Sequence, residues 1–307
     1  MQALVYKSTG SWYQVRNEKG EAYRSRIRGK LKIDGITSTN PVAVGDYVKL
    51  EAEPDDENMI ITEILPRRNY INRVSPHNRN QHHIIASNLD QSLLFATLKD
   101  PKTSLGFIDR FLVISEAYHV PVFIVFNKVD IYRKKEMDVL EEIRAMYGKI
   151  GYLVFDISMQ TGHGLDNLMQ MLHGKTTLLS GHSGVGKSSF INHIFPDMEL
   201  KTGEVSNWSG KGMHTTTFAE MFDLPHGGRI IDTPGIREMG LVDIEKEELA
   251  HYFPEMREVM SQCKFHNCIH VEEPGCAVKA ALETGEISIE RYASYRNILD
   301  TIVARSY

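Results

Sequence analysis

The stretch with the most specific chemistry is the glycine-rich octapeptide GHSGVGKS at residues 181–188. It fits G-x-x-x-x-G-K-[ST] in full, follows the apolar segment TTLLS and opens a predicted helix, which is the context that this phosphate-binding motif requires. The glycines let backbone N–H groups close around phosphate oxygens, and the helix N-terminus adds a favourable dipole. Lys187 is predicted to reach the β- and γ-phosphates, and the Ser188 hydroxyl to bind Mg²⁺. The nucleotide contacts predicted here are Gly181, His182, Ser183, Gly184, Val185, Gly186, Lys187, Ser188 and Ser189.

A second motif, Asn127-Lys128-Val129-Asp130, follows directly after the apolar segment VPVFIVF. The Asp130 carboxylate can accept hydrogen bonds from N1–H and the 2-amino group of guanine, while Asn127 addresses the O6/N7 edge and the Lys128 stem covers the base. Adenine lacks the 2-amino donor and presents an amine in place of O6, so a buried group would stay unpaired. The motif therefore predicts guanine selection, and Ser158, which ends the segment GYLVFDIS, is expected to support the base.

Two further segments would complete the phosphate site. Asp232 begins a D-x-x-G sequence, DTPG, in which Asp232 is expected to bind Mg²⁺ through water and the Gly235 N–H to contact the γ-phosphate. A run of three threonines lies between the octapeptide and DTPG, where a switch threonine must sense Mg²⁺ and the γ-phosphate. We assign this role to Thr216, although the sequence leaves its two threonine neighbours open. The predicted magnesium ligands are Ser188, Thr216 and Asp232.

The residue after DTPG bears on the rate of hydrolysis. Many GTPases place a glutamine there to orient the attacking water, whereas this chain has Ile236, which cannot form such a hydrogen bond. Intrinsic hydrolysis should therefore be slow and should await a group brought in by partner binding. His214, beside the threonines, is the predicted catalytic residue, and His182 is the second candidate. A packing or surface role is the alternative for each histidine.

The motifs occur in an unusual order along the chain. Ordinary small GTPases run from the phosphate loop through the threonine and D-x-x-G to N-K-x-D and the serine loop. Here N-K-V-D and Ser158 come first, but the cyclic order is kept, with the cut placed after D-x-x-G. The same sheet can therefore form from a permuted chain, and the segment after Gly235 runs straight into the C-terminal region.

The three cysteines fall in one short segment, Cys263-x4-Cys268-x-His270-x5-Cys276. Three thiolates and one imidazole satisfy tetrahedral Zn²⁺ with no open position, which is the structural rather than the catalytic pattern. His266 competes with His270 for the fourth position on spacing alone. Three reduced, buried cysteines without a metal are the alternative reading.

The elements that must position these residues fall into three regions. Apolar strands alternate with helices over residues 80–240, which predicts a mostly parallel sheet covered on both faces. Short strands and tight turns before this region predict a small antiparallel β-barrel. From about residue 243 the pattern becomes helical and charged. We therefore predict three domains, at 1–68, 69–240 and 241–307.

Composition limits the function classes further. The 307 residues carry 35 Lys+Arg against 40 Asp+Glu, 42% are hydrophobic, and the net charge is −5, as in an ordinary globular protein. No apolar run approaches the roughly 20 residues that span a bilayer, and the first residues do not suggest export. The acidic balance alone argues against nucleic acid, but alternation places Arg24, Arg26 and Arg28 on one strand face near Lys30. That face suits phosphate contacts, and a solvated strand face is the alternative.

With these motifs, the chain resembles the circularly permuted GTPases of the RsgA (YjeQ/YloQ) type, bacterial factors of small-ribosomal-subunit assembly. The resemblance covers nearly the whole length and includes GHSGVGKSS, KGMHTTT, DTPG, CKFHNCIHVEEPGC and RYASYRNIL. It implies an N-terminal OB-fold barrel that binds RNA, a central α/β permuted P-loop GTPase domain, and a mainly helical C-terminal zinc domain. It also favours His270 over His266 as the fourth zinc ligand.

The resemblance further implies a function. The expected activity is hydrolysis of GTP to GDP, with Mg²⁺, stimulated by the 30S subunit during its late maturation. The expected RNA partner is 16S rRNA, held by Arg24, Arg26, Arg28 and Lys30. The expected state is a cytoplasmic monomer with one structural Zn²⁺. The alternative is a nucleotide-gated RNA-binding protein whose hydrolysis is incidental.

Overall fold

A computed structural model of the chain describes residues 1–27, 41–53, 57–74, 82–196, 219–233 and 244–302. The strands are β1 Gln2–Ser8, β2 Tyr13–Asn17, β3 Ala22–Ile27, β4 Tyr47–Ala52, β5 Met59–Ile64, β6 Tyr70–Val74, β7 His82–Ser87, β8 Gln91–Ala96, β9 Val122–Phe126, β10 Leu153–Asp156, β11 Thr176–Gly181, β12 Glu220–Asp223 and β13 Arg229–Asp232. The α-helices are α1 Leu105–Ala117, α2 Lys134–Lys149, α3 Leu165–Leu172, α4 Lys187–Ile194, α5 Pro254–Val259, α6 Ala277–Glu283 and α7 Ile289–Thr301. Strands come first, strands and helices then alternate from β8 to β13, and the elements after β13 are helical.

The first five strands form a closed barrel. They pair in the order β1-β2-β3-β5-β4, and β4 returns to pair with β1. Only β3 and β5 run parallel among these pairs, which is the arrangement of an OB-fold. Tyr13 and Val15 on β2 point inward and pack with Val5, Val48 and Ile61. The predicted N-terminal barrel is confirmed.

The central sheet has the order β10-β9-β8-β11-β13-β12, and its strands run parallel except for β12 at one edge. Strand β8, at its centre, is buried along its whole length, as expected for a strand covered on both faces. Helices α1 and α2 pack on one face and α3 and α4 on the other. The predicted α/β fold is confirmed.

Strand β1 was not predicted, although it joins the barrel to the central sheet. Its Lys7 pairs with Glu220 of β12, so the two sheets are continuous. The burial pattern of β1 is nearly unbroken because the strand contacts β2, β4 and β12. A short unbroken apolar run carries no alternation, so it is hard to recognise as a strand from sequence. The pair β6–β7 was also missed.

The C-terminal helical region, residues 244–302, packs against α1. Its core includes Phe253, Met256 and Tyr295, and Val113 of α1 belongs to the same apolar cluster. The mainly helical character predicted for this region is confirmed, whereas the three domain boundaries stay predictions. Within the described residues, no helix is both long and apolar enough to cross a membrane.

Candidate functional site

The loops that carry the predicted phosphate and base motifs begin at the carboxyl ends of parallel strands of the central sheet. In the register of the sheet, Gly181 at the end of β11 lies beside Phe95 of β8, and Phe126 at the end of β9 lies beside Asp156 of β10. The loops that leave these strands hold the octapeptide, N-K-V-D and Ser158. Ligand sites of open parallel sheets form at this edge, so the observed topology places the phosphate and base motifs side by side.

Lys187 begins α4 and turns its side chain back into the glycine-rich loop. Its Nζ donates to the backbone oxygens of Gly181 at 2.7 Å and His182 at 2.8 Å. Burial lowers the pKa of Lys187 to about 8, and the charge of Asp232 opposes that shift. An anionic phosphate in the loop would act in the same direction as Asp232 and favour the charged form of the Lys187 ammonium.

Asn127 joins the base-side loop to the phosphate loop. The side chain is buried, and its Nδ2 donates to the Val185 oxygen at 2.9 Å, while its Oδ1 accepts from the Lys128 N–H at 2.7 Å. A Cβ on Gly186, whose φ is +101°, would lie 2.0 Å from Asn127 Nδ2. Glycine is therefore required at 186 by this contact as well as by its backbone conformation. The predicted contact of Asn127 with O6/N7 of guanine stays a prediction.

Asp130 is exposed at the same edge, with one carboxylate oxygen held by the protein. The Ser158 hydroxyl, which is fully buried, donates to Asp130 Oδ1 at 2.5 Å and accepts from the N–H groups of Gln160 and Thr161. This network fixes the position of one Asp130 carboxylate oxygen. The contact of Asp130 with guanine stays a prediction.

Tyr132 is a positioning residue that the sequence analysis missed. Its hydroxyl donates to the Asn127 oxygen at 2.9 Å and accepts from the Leu98 N–H at 2.7 Å, so it ties the N-K-V-D loop to the loop after β8. Burial raises the pKa of Tyr132 to about 12, which keeps the hydroxyl protonated as a donor. The Lys128 ammonium donates to the Asp100 oxygen in the same loop. No spacing in the sequence signals this connection.

His182 packs against α1 instead of projecting into the open loop. Its ring lies over Phe107 with 3.6 Å between ring centroids and 31° between the planes. This contact favours the packing role over the catalytic role that the sequence left open for His182.

The magnesium side of the site is described in part. Asp232 ends β13 beside Leu179 of β11, and burial raises the pKa of its carboxyl while Lys187 opposes that shift. Ser188 and Ser189 lie in the first turn of α4. The predicted residues His214, Thr216 and Gly235, together with Ile236, lie outside the described residues.

The four residues predicted to bind metal come together in the C-terminal region. The donor atoms of Cys263, Cys268, His270 and Cys276 all lie within 4.8 Å of one another. His270 Nδ1 is 3.6 Å from Cys263 Sγ and 3.4 Å from Cys276 Sγ. A tetrahedral zinc ion with bonds of about 2.3 Å to sulfur and 2.0 Å to nitrogen would separate these atoms by about 3.5 Å, so the donor set fits.

Burial distinguishes the two histidines that the spacing left open. His266 is exposed, whereas His270 is 1% exposed and belongs to the cluster. Burial lowers the pKa of His270, which keeps the imidazole neutral as a ligand must be. Burial also raises the pKa of Cys268 to about 12, so a cation is needed to hold its thiolate.

Side chains around residues 263–276, the metal-ligand loop, hold its backbone in place. The Glu273 carboxylate accepts from the N–H groups of Ile269 at 2.8 Å and Val271 at 2.9 Å. The hydroxyls of Tyr292 and Tyr295 on α7 donate to the oxygens of His270 and Ile269, each at 2.7 Å. These tyrosines belong to the segment RYASYRNIL, which the sequence analysis noted without explaining.

The predicted RNA face is described at two of its four residues. Arg24 and Arg26 both point outward from β3, while Ser25 between them is buried. The Arg24 guanidinium lies 3.9 Å from the centre of the Trp12 ring, and Arg26 forms an ion pair with Glu53. Arg28 and Lys30 lie outside the described residues.

Comparison with known proteins gives long, strong matches. A chain from Bacteroides fragilis strain YCH46, named small ribosomal subunit biogenesis GTPase RsgA, is 50% identical over 300 residues, which cover 98% of this chain and 96% of that protein. A protein of the same name from Christiangramia forsetii is 50% identical over 302 residues, with the same two coverages.

Solved structures give the same result for the fold. YjeQ from Thermotoga maritima matches with a TM-score of 0.79 and 33% identity over 99% of both chains. YloQ, described as a circularly permuted GTPase, matches with a TM-score of 0.73 and 32% identity over 97% of this chain and 93% of that one. The family model for the RsgA N-terminal domain matches residues 2–60, and the model for the RsgA GTPase matches residues 64–242. The chain therefore belongs to the RsgA GTPase family.

Proposed function

We propose that this chain hydrolyses GTP in the biogenesis of the small ribosomal subunit, in the cytoplasm, and that the 30S subunit stimulates the reaction. The observation that carries the proposal is 50% identity, over 98% of the chain, with proteins named small ribosomal subunit biogenesis GTPase. The junction of the phosphate loop with the N-K-V-D loop through Asn127 and Val185 supports it, because that contact joins phosphate binding to base selection.

Each part of the site has a defined task in this proposal. The loop N–H groups and Lys187 bind the phosphates. Ser188, Thr216 and Asp232 would hold Mg²⁺, which would neutralise the negative charge on the phosphates. Asp130, fixed by Ser158, selects guanine. The cysteine and histidine cluster holds one structural Zn²⁺, because a Cys3His set leaves no open position for a substrate.

We assign the group that assists hydrolysis to His214. Ile236 follows DTPG and cannot orient water, and His182 is packed on Phe107. His214, beside the switch threonines, is the candidate that these two observations leave. His214→Ala should keep the Kd for GDP while stimulated turnover falls about 100-fold or more, the usual contribution of a positioned proton-transfer group. Steady-state phosphate release with 30S subunits measures this. Normal stimulated turnover in the variant would remove His214 from the mechanism.

The RNA contact rests chiefly on Arg24. Arg26 is already paired with Glu53, whereas Arg24 lies over the Trp12 ring, so the two residues present an aromatic and a cationic surface together. Such a surface suits base stacking and phosphate binding. Arg24→Gln should weaken binding to 16S rRNA fragments and lower the slope of log affinity against log salt by about 0.7–0.9, the loss of one phosphate contact.

A matched control is available on the same barrel. Lys49 is exposed and paired with Glu63 at 2.6 Å, so Lys49→Gln removes an equal charge from another strand. Filter binding at several salt concentrations compares the two variants. Equal salt slopes for Arg24→Gln and the unchanged chain would contradict the assignment of this face to RNA.

The proposal as a whole is tested by multiple-turnover GTP hydrolysis. Phosphate release should rise when 30S subunits are added and should not rise with 50S subunits. If 30S subunits change nucleotide affinity without raising turnover, the alternative of a nucleotide-gated RNA-binding protein is correct. If ATP competes with GTP at equal concentration, Asp130 does not select the base and the site is not specific for guanine.

A further inference from the structure

The N-terminal end of α1 lies against the loops of the nucleotide site. Phe107, in its first turn, stacks on His182 of the phosphate loop. In the loop that leads into α1, the Asp100 backbone oxygen accepts a hydrogen bond from the Lys128 ammonium. Pro101, in the same loop, lies 3.4 Å from the position that a Cβ on Gly184 would take. A change in the phosphate loop or the N-K-V-D loop therefore acts directly on the start of α1.

Two residues further along α1, Asp109 forms a buried ion pair with the C-terminal region. Asp109 is fully buried, and its Oδ1 accepts from Arg291 Nη1 and from the Tyr147 hydroxyl, each at 2.7 Å. Arg291 is 1% exposed and also donates twice to Glu255, at 2.6 and 3.1 Å. Arg291 and Glu255 both belong to the C-terminal region, so Asp109 is the group that carries this network across to α1.

Helix α7 links the same network to the metal-ligand loop. Tyr292 and Tyr295 lie within about one turn of Arg291, and their hydroxyls hold the His270 and Ile269 oxygens. The Arg291 guanidinium and the Tyr295 ring also pack on the same residue, Phe253, at 4.6 and 5.4 Å from its ring centre. The position of α7 thus sets the position of both the ion pair and the metal-ligand backbone.

A buried ion pair couples the elements that carry it because its geometry tolerates little change. A charge separated from its partner in the interior loses both water and counter-charge, so α1 and α7 are favoured to move together. We propose that the Asp109–Arg291 ion pair couples the nucleotide site to the metal-ligand loop, so that bound guanine nucleotide slows metal release and bound metal tightens nucleotide binding. This inference rests on the proposed function, since it requires a guanine nucleotide at the phosphate loop. Linkage requires the two effects on binding to be equal in free energy.

The experiment measures metal release from the full chain to a chromophoric chelator, with and without saturating GDP. In the unchanged protein GDP should slow release, by about 5- to 150-fold when the whole coupling between the two affinities acts on the dissociation step. Asp109→Asn removes the charge across the interface but keeps an acceptor for Tyr147 and leaves Arg291 paired with Glu255. Its two release rates, with and without GDP, should be nearly equal.

Two further variants keep the result decisive. Lys149→Met removes another polar contact to the C-terminal region, from Nζ to the Glu286 oxygen at 2.9 Å, and should leave the GDP effect intact. Phe107→Leu removes the ring stack between α1 and the phosphate loop, two residues before Asp109, and should reduce the GDP effect. This variant supplies the test if Asp109→Asn does not fold. A GDP effect that Asp109→Asn or Phe107→Leu leaves unchanged would overturn the proposal.

GDP affinity is measured on the same samples by fluorescence titration, which separates two kinds of failure. If the unchanged protein does not bind GDP, the proposed function is wrong. If it binds GDP but releases metal at the same rate with and without it, the coupling is wrong and the proposed function stands.

Discussion

Removal of the metal from the Cys263, Cys268, His270 and Cys276 cluster should disorder the loop that carries these residues. Apparent binding free energies of structural zinc in small peptides are about 10–16 kcal/mol, which equals or exceeds the whole stability of a typical domain. Without a cation, three thiols and a buried imidazole must pack together in the interior. Hydrogen exchange across residues 263–276 should therefore rise by orders of magnitude after chelation, together with cleavage by proteases.

The two histidines of the loop give a matched pair of variants for this prediction. His266 is exposed and outside the cluster, so His266→Ala should retain one equivalent of zinc, measured by elemental analysis. His270→Ala removes a ligand and should lose most of it. Unchanged hydrogen exchange and proteolysis after complete removal of the metal would show that the cluster is only a group of packed cysteines.

Asp130→Asn should change the base that the site accepts. Asp130 Oδ1 accepts from Ser158, so an asparagine oxygen takes that place and its amide nitrogen faces the base. An amide donor there opposes the 2-amino group of guanine but pairs with the 2-oxo group of xanthine. Loss of one or two hydrogen bonds to a charged group costs about 2–4 kcal/mol. The Kd for GDP should therefore rise by roughly 30- to 1,000-fold.

Xanthine nucleotide provides the measurement and the control in one titration. The variant should bind XDP more tightly than GDP, whereas the unchanged protein should do the reverse. Ser158→Ala should weaken the binding of both GDP and XDP, whether residue 130 is the native aspartate or the substituted asparagine. The reason is that this variant frees the side chain at 130 without changing its hydrogen-bonding groups. A variant that still prefers GDP would place the base elsewhere than beside Asp130.

The motifs predicted the central fold because each one requires its own structural context. A phosphate loop needs a strand before it and a helix after it, and β11 and α4 provide them. The permuted order was readable because cyclic order is conserved when a chain is cut and rejoined. The structure then identified His270 as the fourth predicted metal ligand, because His270 is buried and His266 is exposed. Spacing alone could not distinguish the two histidines.

Contacts between distant segments could not be predicted in this way. Tyr132, Asp109 and Arg291 act through partners that lie 34, 182 and 36 residues away in the chain, at Leu98, Arg291 and Glu255. No periodicity or motif spacing encodes such pairs. Strand β1 was missed for a related reason, since its nearly continuous burial arises from neighbours on both sides and leaves no alternation to read.

The most direct test of the account is hydrolysis of XTP by the Asp130→Asn protein in the presence of 30S subunits. Preparations of ribosomal subunits carry other GTPases, but XTP limits the observed phosphate release to the variant whose base site has been changed. Once XTP binding is established, phosphate release should rise on addition of 30S subunits and remain at its basal rate with 50S subunits. Tight XTP binding without any stimulation by 30S subunits would contradict the central claim that this chain is a GTPase activated by the small ribosomal subunit.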